Sequence, residues 1–314
     1  MYLTYMRKAI GIGETVYDIV FKNGQPKAAV PGGSTFNSMI SIGRCGIPAD
    51  FLSEVGDDVV GSIIRNFMTE NGVDPGYISL LKTKTPLSLA FLDEKNDASY
   101  TIYREVSEER PEFRYPEIDP DDIVLFGSFY ALSPACRPMV KGFLEYARSR
   151  GAIIYYDVNF RPSHVKDLGN IGNALWENFE FADVVRGSHE DFRTLFGIED
   201  ARQVFKEKLS DRCGNFICTY GADPLKVQDI HGFYGEYPVT PIKTISTIGA
   251  GDNFNAGFIY GLVKDGITRE MLLEGLPGEV WADLVACAQS FSACCCQSEL
   301  NYITPEFAAP LRLG

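Results

Sequence analysis

A chain of 314 residues with 45% hydrophobic composition can bury a substantial core, which excludes disorder as its main state and fits one large α/β unit or two ordinary domains. Its 42 acids against 29 bases leave a formal charge of -13, which excludes the extended basic surface of a nucleic-acid-binding protein and confines any phosphate chemistry to a small, locally held group. No apolar run approaches the ~20 residues of a membrane span, and eight scattered cysteines, with neither a secretory leader after Met1 nor an Asn-x-Ser/Thr sequon, point to a reducing cytoplasm.

In chain order, "GETVYDIV" (13–20) reads as an apolar strand carrying a lone acid, Asp18, with "KNGQP" as the following turn. A carboxylate in such a strand needs partners; two sugar hydroxyls would supply them, and an exposed edge-strand position is the alternative. "PGGSTFN" (31–37) precedes a helical run. Gly32 and Gly33 permit close backbone contact with a ligand, and Asn37 offers both donor and acceptor. "TPLSLAFLDEKNDASYTIYREV" (85–106) alternates apolar and polar residues across a polar turn, a hairpin signature whose partner is the segment from Gly13 to Val30. The acidic, proline-containing stretch after it is the expected return path to the core.

From 123 onward, apolar strand-like runs alternate with helical ones: "IVLFGSFY", "IIYYDVN", "FADVVRG" and "FICTYG", with "PMVKGFLEYARSRG" and "DARQVFKEKLSDRCG" among the helices, each closing at a glycine suited to a C-cap. Alternation of this kind implies parallel strands with right-handed crossovers. Ligands then sit beyond the strands' carboxyl ends, so "DVN" at 157–159, "RGSHE" at 186–190 and "TYG" at 219–221 are expected at one crevice. Cys213 and Cys218 match no metal-ligand spacing and read as small buried hydrophobes.

"STIGAGDNF" (246–254) leads into the helix "NAGFIYGLVKDG". The P-loop pattern is absent, and both G-x-G pairs lack the third glycine of a dinucleotide fingerprint. What remains is a helix start whose first amides have no intrahelical partner, with Gly249, Ala250 and Gly251 letting a tetrahedral anion approach. Beside a phosphoryl group in flight, Asp252 could take the proton of an attacking hydroxyl; otherwise it is an ordinary capping acid.

These segments together converge on a family. "STIGAGDNFNAGF" resembles the C-terminal D-T-x-G-A-G-D-x-F signature of the ribokinase-like (PfkB) carbohydrate kinases, and "PGGSTFNSMISIGRCG" resembles their G-G-x-x-x-N segment. "SEVGDDVVGSIIRNFMTENGVD" and "DVNFRP" resemble two further family stretches, and Glu190 falls at the acid of N-x-x-E. The resemblance covers nearly the whole chain and implies a single catalytic domain over 1–314. Its expected fold is α/β, a ribokinase-like three-layer α/β/α core with a mostly parallel sheet and a small antiparallel β lid from about 13–31 and 84–113.

The implied activity is ATP-dependent transfer of the γ-phosphoryl group to a sugar hydroxyl. Asp252 would be the base, the amides of Gly249, Ala250 and Gly251 the anion hole, and Arg161 an aid to the transferred phosphate or the substrate. Asp18, Gly32, Gly33 and Asn37 would hold the sugar. Thr219 and Gly221, with Thr247, Gly249 and Gly251, would line the nucleotide side, and Glu190 would organise Mg²⁺ through water. The lid would exclude water, and in several relatives it also forms a homodimer contact.

Three departures mark this chain: Ser246 in place of the family's aspartate, which weakens the case for potassium activation; Gly187 in place of the asparagine of N-x-x-E; and Pro224 at the last glycine of T-x-G-x-x-G. "YTIYRE" resembles the lid strand of fructokinases and 2-keto-3-deoxygluconate kinases, which makes Tyr103 and Arg104 substrate candidates. Arginine can hold a carboxylate or donate to hydroxyls, or Arg104 can simply pair with Glu105 or Glu108. A fructose-like ketohexose is the expected substrate and a sugar acid the alternative. A non-catalytic sensor on the same scaffold and a nicotinamide-dependent oxidoreductase are the rivals from other classes.

Overall fold

The computed structural model describes residues 6–94, 98–105 and 113–313. The chain divides into two compact units: Met1–Pro116 with Ile242–Tyr260 and Ser290–Gly314, and Glu117–Pro241 with Gly261–Gln289.

The first unit runs through β1 (Ala9–Ile12), β2 (Val16–Lys22), β3 (Gln25–Gly32), α1 (Ser34–Arg44), β4 (Ala49–Gly56), α2 (Val59–Glu70), β5 (Val73–Asp74), β6 (Ile78–Leu81), β7 (Leu87–Leu92) and β8 (Ala98–Tyr103). β4 pairs in parallel with β1, β5 and β6. Helix α1 lies tight on this sheet: a Cβ added to Gly11 would stand 2.6 Å from Met39 Cγ and 2.8 Å from a Phe51 ring carbon.

A separate sheet has the order β3-β2-β7-β8 and is built from the segments expected to form the lid. Asn23 and Gly24, with φ of 52° and 72°, make the tight β2–β3 turn expected at "KNGQP". Both hairpins are antiparallel as expected, but β2 and β7 pair in parallel, Tyr17 opposite Leu87 and Lys22 opposite Leu92. The leading strand of each hairpin lies at the sheet centre, so the two meet running the same way. Residues 95–97 at the second hairpin's tip, and 106–112 of the expected return path with Glu108, lie outside the described residues.

The second unit contains β9 (Ile123–Gly127), α3 (Arg137–Ser149), β10 (Ile153–Asp157), α4 (Leu168–Phe181), β11 (Val184–Ser188), α5 (His189–Phe196), α6 (Ala201–Val204), β12 (Asn215–Tyr220), β13 (Asp223–Asp229) and β14 (Tyr234–Tyr237). Strands β9 to β12 pair in parallel in chain order, and β13 and β14 extend them antiparallel. Every residue of β9 and β10 is buried, the pattern of strands covered on both faces. The α/β class with a mostly parallel sheet and a smaller second sheet is therefore the fold that forms.

The two expected glycine caps differ. Gly151, with φ of 80°, follows α3 as a left-handed cap should. The run after Asp200 is helical for four residues, then widens into a π turn over Phe205–Leu209, where Ser210 N–H bonds the Phe205 carbonyl at 2.9 Å. The chain leaves through Cys213 N–H to Leu209 (2.9 Å), so Gly214 needs no left-handed geometry. Burial pushes the Cys213 and Cys218 thiols up to about 12, as suits small hydrophobes.

Helix α7 (Ala250–Lys264) and, after α8 (Arg269–Glu274), α9 (Gly278–Cys296) each begin in one unit and end in the other. Among the described residues no helix is long and apolar enough to cross a membrane.

Candidate active site

The residues singled out in the sequence fall into two groups, one on each unit. In the first unit the chain turns from β3 into α1 at the glycine pair. A Cβ on Gly32 would lie 2.0 Å from Asp18 Oδ2, and one on Gly33, whose φ is 129°, would lie 2.2 Å from the Glu14 carbonyl oxygen. Glycine is needed here because a carboxylate and a backbone carbonyl already occupy that space.

Asp18 lies on the central strand β2 and is only 9% exposed, so the edge-strand alternative fails. Asn301 Nδ2 donates to Asp18 Oδ2 at 3.4 Å. Burial pushes the carboxyl above the usual carboxylate range, opposed by a hydrogen bond from Ser88, its register partner on β7.

Ser34 and Asn37 stand one turn apart on α1, and both donate to Asp252: Ser34 Oγ to Oδ1 at 2.9 Å and Asn37 Nδ2 to Oδ2 at 2.8 Å. Ser38 Oγ donates to the Asp252 carbonyl at 2.7 Å. Both carboxylate oxygens thus accept from a different helix, an arrangement that a capping role for Asp252 does not require. Asn37, expected to reach a sugar, spends its donor on Asp252; its carbonyl oxygen is buried without a hydrogen-bond partner among the described residues. A buried acceptor left unmade costs about 1–3 kcal/mol, which a ligand hydroxyl would relieve.

The turn before α7 is locked from below. Asn253 is fully buried; its Nδ2 donates to the carbonyls of Gly249 (2.8 Å) and Asn301 (2.9 Å), while its Oδ1 accepts from Ser41 Oγ at 2.6 Å. Gly249 has φ of 78°, and a Cβ there would meet the Asn301 carbonyl at 2.6 Å. The Ala250 N–H, expected in the anion hole, turns back to the Thr247 carbonyl at 3.2 Å. Ser246 Oγ accepts from the Ile248 N–H at 3.2 Å.

The lid candidates separate. Tyr103 pairs with Leu87, so it belongs to the sheet face of Tyr17 rather than that of Asp18 and Ser88, and it is 59% exposed. The alternation of a strand therefore turns it away from Asp18. Arg104, one residue past β8, forms an ion pair with Glu14. Glu105, offered as its bland partner, instead accepts from the Lys84 N–H at 2.9 Å.

In the second unit, the carboxyl ends of β10, β11 and β12 do meet. Arg186 donates to Asp157 Oδ1 at 3.0 Å and to Thr219 Oγ1 at 2.9 Å. Burial opposes its charge most strongly, but Asp157, Tyr155 and Asp191 together outweigh that and raise its pKa. Asp191 accepts from the Phe160 N–H at 2.8 Å and closes a capping box with Ser188, fixing the "DVNFRP" loop against the start of α5. Arg161 and Glu190 are exposed, and Gly221, φ 64°, turns β12 into β13 with open space around it. His189 stacks on Tyr220, centroids 4.9 Å apart and planes 8° apart.

Residues 6–306 match the pfkB family carbohydrate kinase domain. The chain belongs to that family. As a pfkB carbohydrate kinase it is a phosphotransferase with a sugar hydroxyl as acceptor. It is 29% identical over 249 residues to a 5-dehydro-2-deoxygluconokinase of Geobacillus kaustophilus, covering 74% of this chain and 73% of that one. It is 26% identical over 241 residues to fructokinase-1 of Zea mays, covering 75% and 74%. Its fold matches the crystal structure of a fructokinase double mutant from Vibrio cholerae, bound to fructose, ADP and potassium, with a TM-score of 0.83 at 18% identity over 98% of this chain and 99% of that one.

The kinase's departure at Gly187 has a local cause. A Cβ there would stand 2.7 Å from Phe192 Cζ and 3.3 Å from Val158 Cβ, so an asparagine would force the phenylalanine ring to shift. Ser34, Ser88 and Asn301 were not singled out from the sequence, and Arg186 entered only as the first residue of "RGSHE". Ser34 follows the glycine pair directly and could have been read as a first-turn donor. Asn301 reaches Asp18 across 283 residues, and no local pattern signals that.

Proposed function

We propose that this pfkB kinase transfers the γ-phosphoryl group of ATP to a hydroxyl of a fructose-like ketohexose, with both units serving one catalytic function in a reducing cytoplasm. The observation that carries the reading is the double donation of Ser34 and Asn37 to Asp252. A carboxylate held by two donors at the first turn of a helix is aimed before substrate arrives, as a general base should be. Asp252 takes the acceptor hydroxyl's proton as the oxygen attacks phosphorus, and the Gly249 and Gly251 amides stabilise the charge on the transferred group. Asp18 accepts from two sugar hydroxyls, and the Asn37 carbonyl accepts from a third.

On the second unit, Thr219 and Gly221 serve the nucleotide, with Thr219 fixed by Arg186, and Arg161 assists the phosphate. Magnesium supplies charge neutralisation on the phosphates when bound. Among the described residues no cluster of three ligating side chains exists, which fits a Mg²⁺ held mainly by phosphate and water, with the exposed Glu190 orienting that water. The free thiols support the reducing compartment.

The lid supports a homodimer. Tyr17, Ile19, Phe21, Leu87, Leu89 and Phe91 share the sheet face opposite Asp18, with Phe21 and Phe91 stacked at 5.1 Å and Phe91 41% exposed. A second copy covering this face would bury that row. Sedimentation equilibrium on native protein and Phe91→Lys checks it: a native dimer that weakens in the variant is expected.

The sugar-acid reading is favoured by the 5-dehydro-2-deoxygluconokinase relative, and both are tested together. Mg-ATP with a panel of ketoses, aldoses and sugar acids should release ADP above the no-sugar control, most strongly with fructose. No sugar-dependent ADP release from folded protein would instead support the sensor reading.

A further inference from the structure

We infer that Glu14 sets the charge class of the acceptor, by occupying Arg104 and reserving the site for an uncharged polyhydroxy sugar. The inference rests on the sugar-kinase reading and names the substrate class of that same site. Arg104 is the candidate cation for a sugar carboxylate, and it is ion-paired with Glu14. Glu14 is part of the acceptor site rather than a distant surface acid, because its own carbonyl packs on Gly33, next to the Gly32 that abuts Asp18.

The local charges then decide. Among the described residues assigned to the acceptor side, Glu14, Asp18 and Asp252 are three carboxylates beside the guanidinium of Arg104, so an anionic sugar meets net negative charge. To bind its carboxylate on Arg104 it must displace Glu14 and leave that acid uncompensated beside it. A neutral ketose needs no such exchange and can use Arg104 and Glu14 as donor and acceptor for its hydroxyls. The Arg104 side chain is 42% exposed while the Glu14 oxygen it meets is buried, so the guanidinium stands between solvent and a sheltered acid. Specificity by an unfavourable element against the wrong ligand is the more economical account.

The test compares kcat/KM for fructose and for 2-keto-3-deoxygluconate, with Mg-ATP, in four proteins: native, Glu14→Gln, Arg104→Leu and the double variant. Native protein should prefer fructose. Glu14→Gln should raise the acid-to-neutral ratio on the order of 10-fold or more, the scale of one charge-assisted hydrogen bond, and adding Arg104→Leu should return it towards native. Arg104→Leu alone should change the ratio less than about threefold, because its charge was already matched. An unchanged ratio in Glu14→Gln, a rise that survives loss of Arg104, or a selective loss of sugar-acid use in Arg104→Leu overturns the inference while leaving the kinase intact. Native protein that phosphorylates neither sugar nor any other in the panel removes the kinase reading itself, and the inference with it.

Discussion

Asn37 donates its side-chain amide to Asp252 at 2.8 Å, joining positions 215 residues apart. Within the first unit the bond ties the first turn of the helix after the glycine pair to the first turn of the helix that carries Asp252. It also turns the other end of the Asn37 amide into a buried acceptor with no partner among the described residues. Under the proposed function, recognition of a hydroxyl and orientation of the base would share this one side chain. Asn37→Ala should lower kcat as well as raise the sugar KM, whereas a residue that only bound sugar in both ground and transition states would move KM alone. Steady-state kinetics over a range of sugar concentrations separates the two outcomes.

Burial of Asp18 ties its charge to stability through pH. Its carboxyl is raised from 3.8 by burial, against the Ser88 hydrogen bond. A raised acid favours the neutral form in the folded state, so ionised Asp18 opposes folding above its folded pKa, and that penalty fades as pH falls through it towards the unfolded value. Asp18→Asn should therefore melt higher than native at pH 7 to 8, with the gain shrinking towards pH 4. Its kcat/KM for sugar should fall about 10-fold or more from lost hydroxyl contacts. A melting point unchanged at every pH, together with native sugar kinetics, would contradict both the burial account and the assignment.

Restoring the family residue at 187 should harm rather than help. Gly187→Asn drives a Cβ to 2.7 Å from Phe192, and overpacking of this kind costs about 1–3 kcal/mol. Thermal denaturation should register the loss, and Phe192→Leu in the same chain should recover part of it. A stable Gly187→Asn protein with improved turnover would show that the phenylalanine yields freely.

Ser246 bears on potassium. Its hydroxyl accepts from the Ile248 amide and carries no charge, so a neighbouring cation loop must rely on carbonyl oxygens. Replacing a bulky organic cation with potassium at constant ionic strength should raise kcat less than about twofold in native protein, on the weakness of neutral ligands for a hard cation, and more in Ser246→Asp. Strong, saturable activation of the native enzyme would refute the expectation.

The alternating apolar runs made the parallel strands legible, because β9 and β10 are buried throughout and their composition reflects it. The glycine pair and Asp252 were legible because close approach and a helix start leave sequence marks. What the sequence does not carry is which long-range partner fills each space. Arg104 reads equally as a ligand for a carboxylate or as a partner of its neighbours Glu105 and Glu108, yet it meets Glu14, on a strand entry 90 positions earlier. Tyr103 reads as a site residue until the β7–β8 register assigns its face, since a shift of one residue would reverse it. The π turn after α6 likewise depends on how Phe205 and Leu209 pack, both of them buried, and helical periodicity alone cannot distinguish it.

The role of Asp252 is tested most directly by kcat in Asp252→Asn. The substitution keeps the side-chain shape: the amide oxygen can accept from Asn37, and its nitrogen can donate to Ser34 Oγ, so neither anchoring bond is lost. Asparagine also serves a helix start about as well as aspartate. Only the ability to take a proton disappears, and loss of a general base typically lowers turnover about 10²–10⁴-fold. A loose phosphoryl-transfer transition state places the loss towards the lower end. The account predicts a folded variant with native melting temperature, ATP affinity equal to or better than native, and sugar phosphorylation slowed at least about a hundredfold. An equally stable Asp252→Asn protein that phosphorylates sugar at the native rate would contradict it.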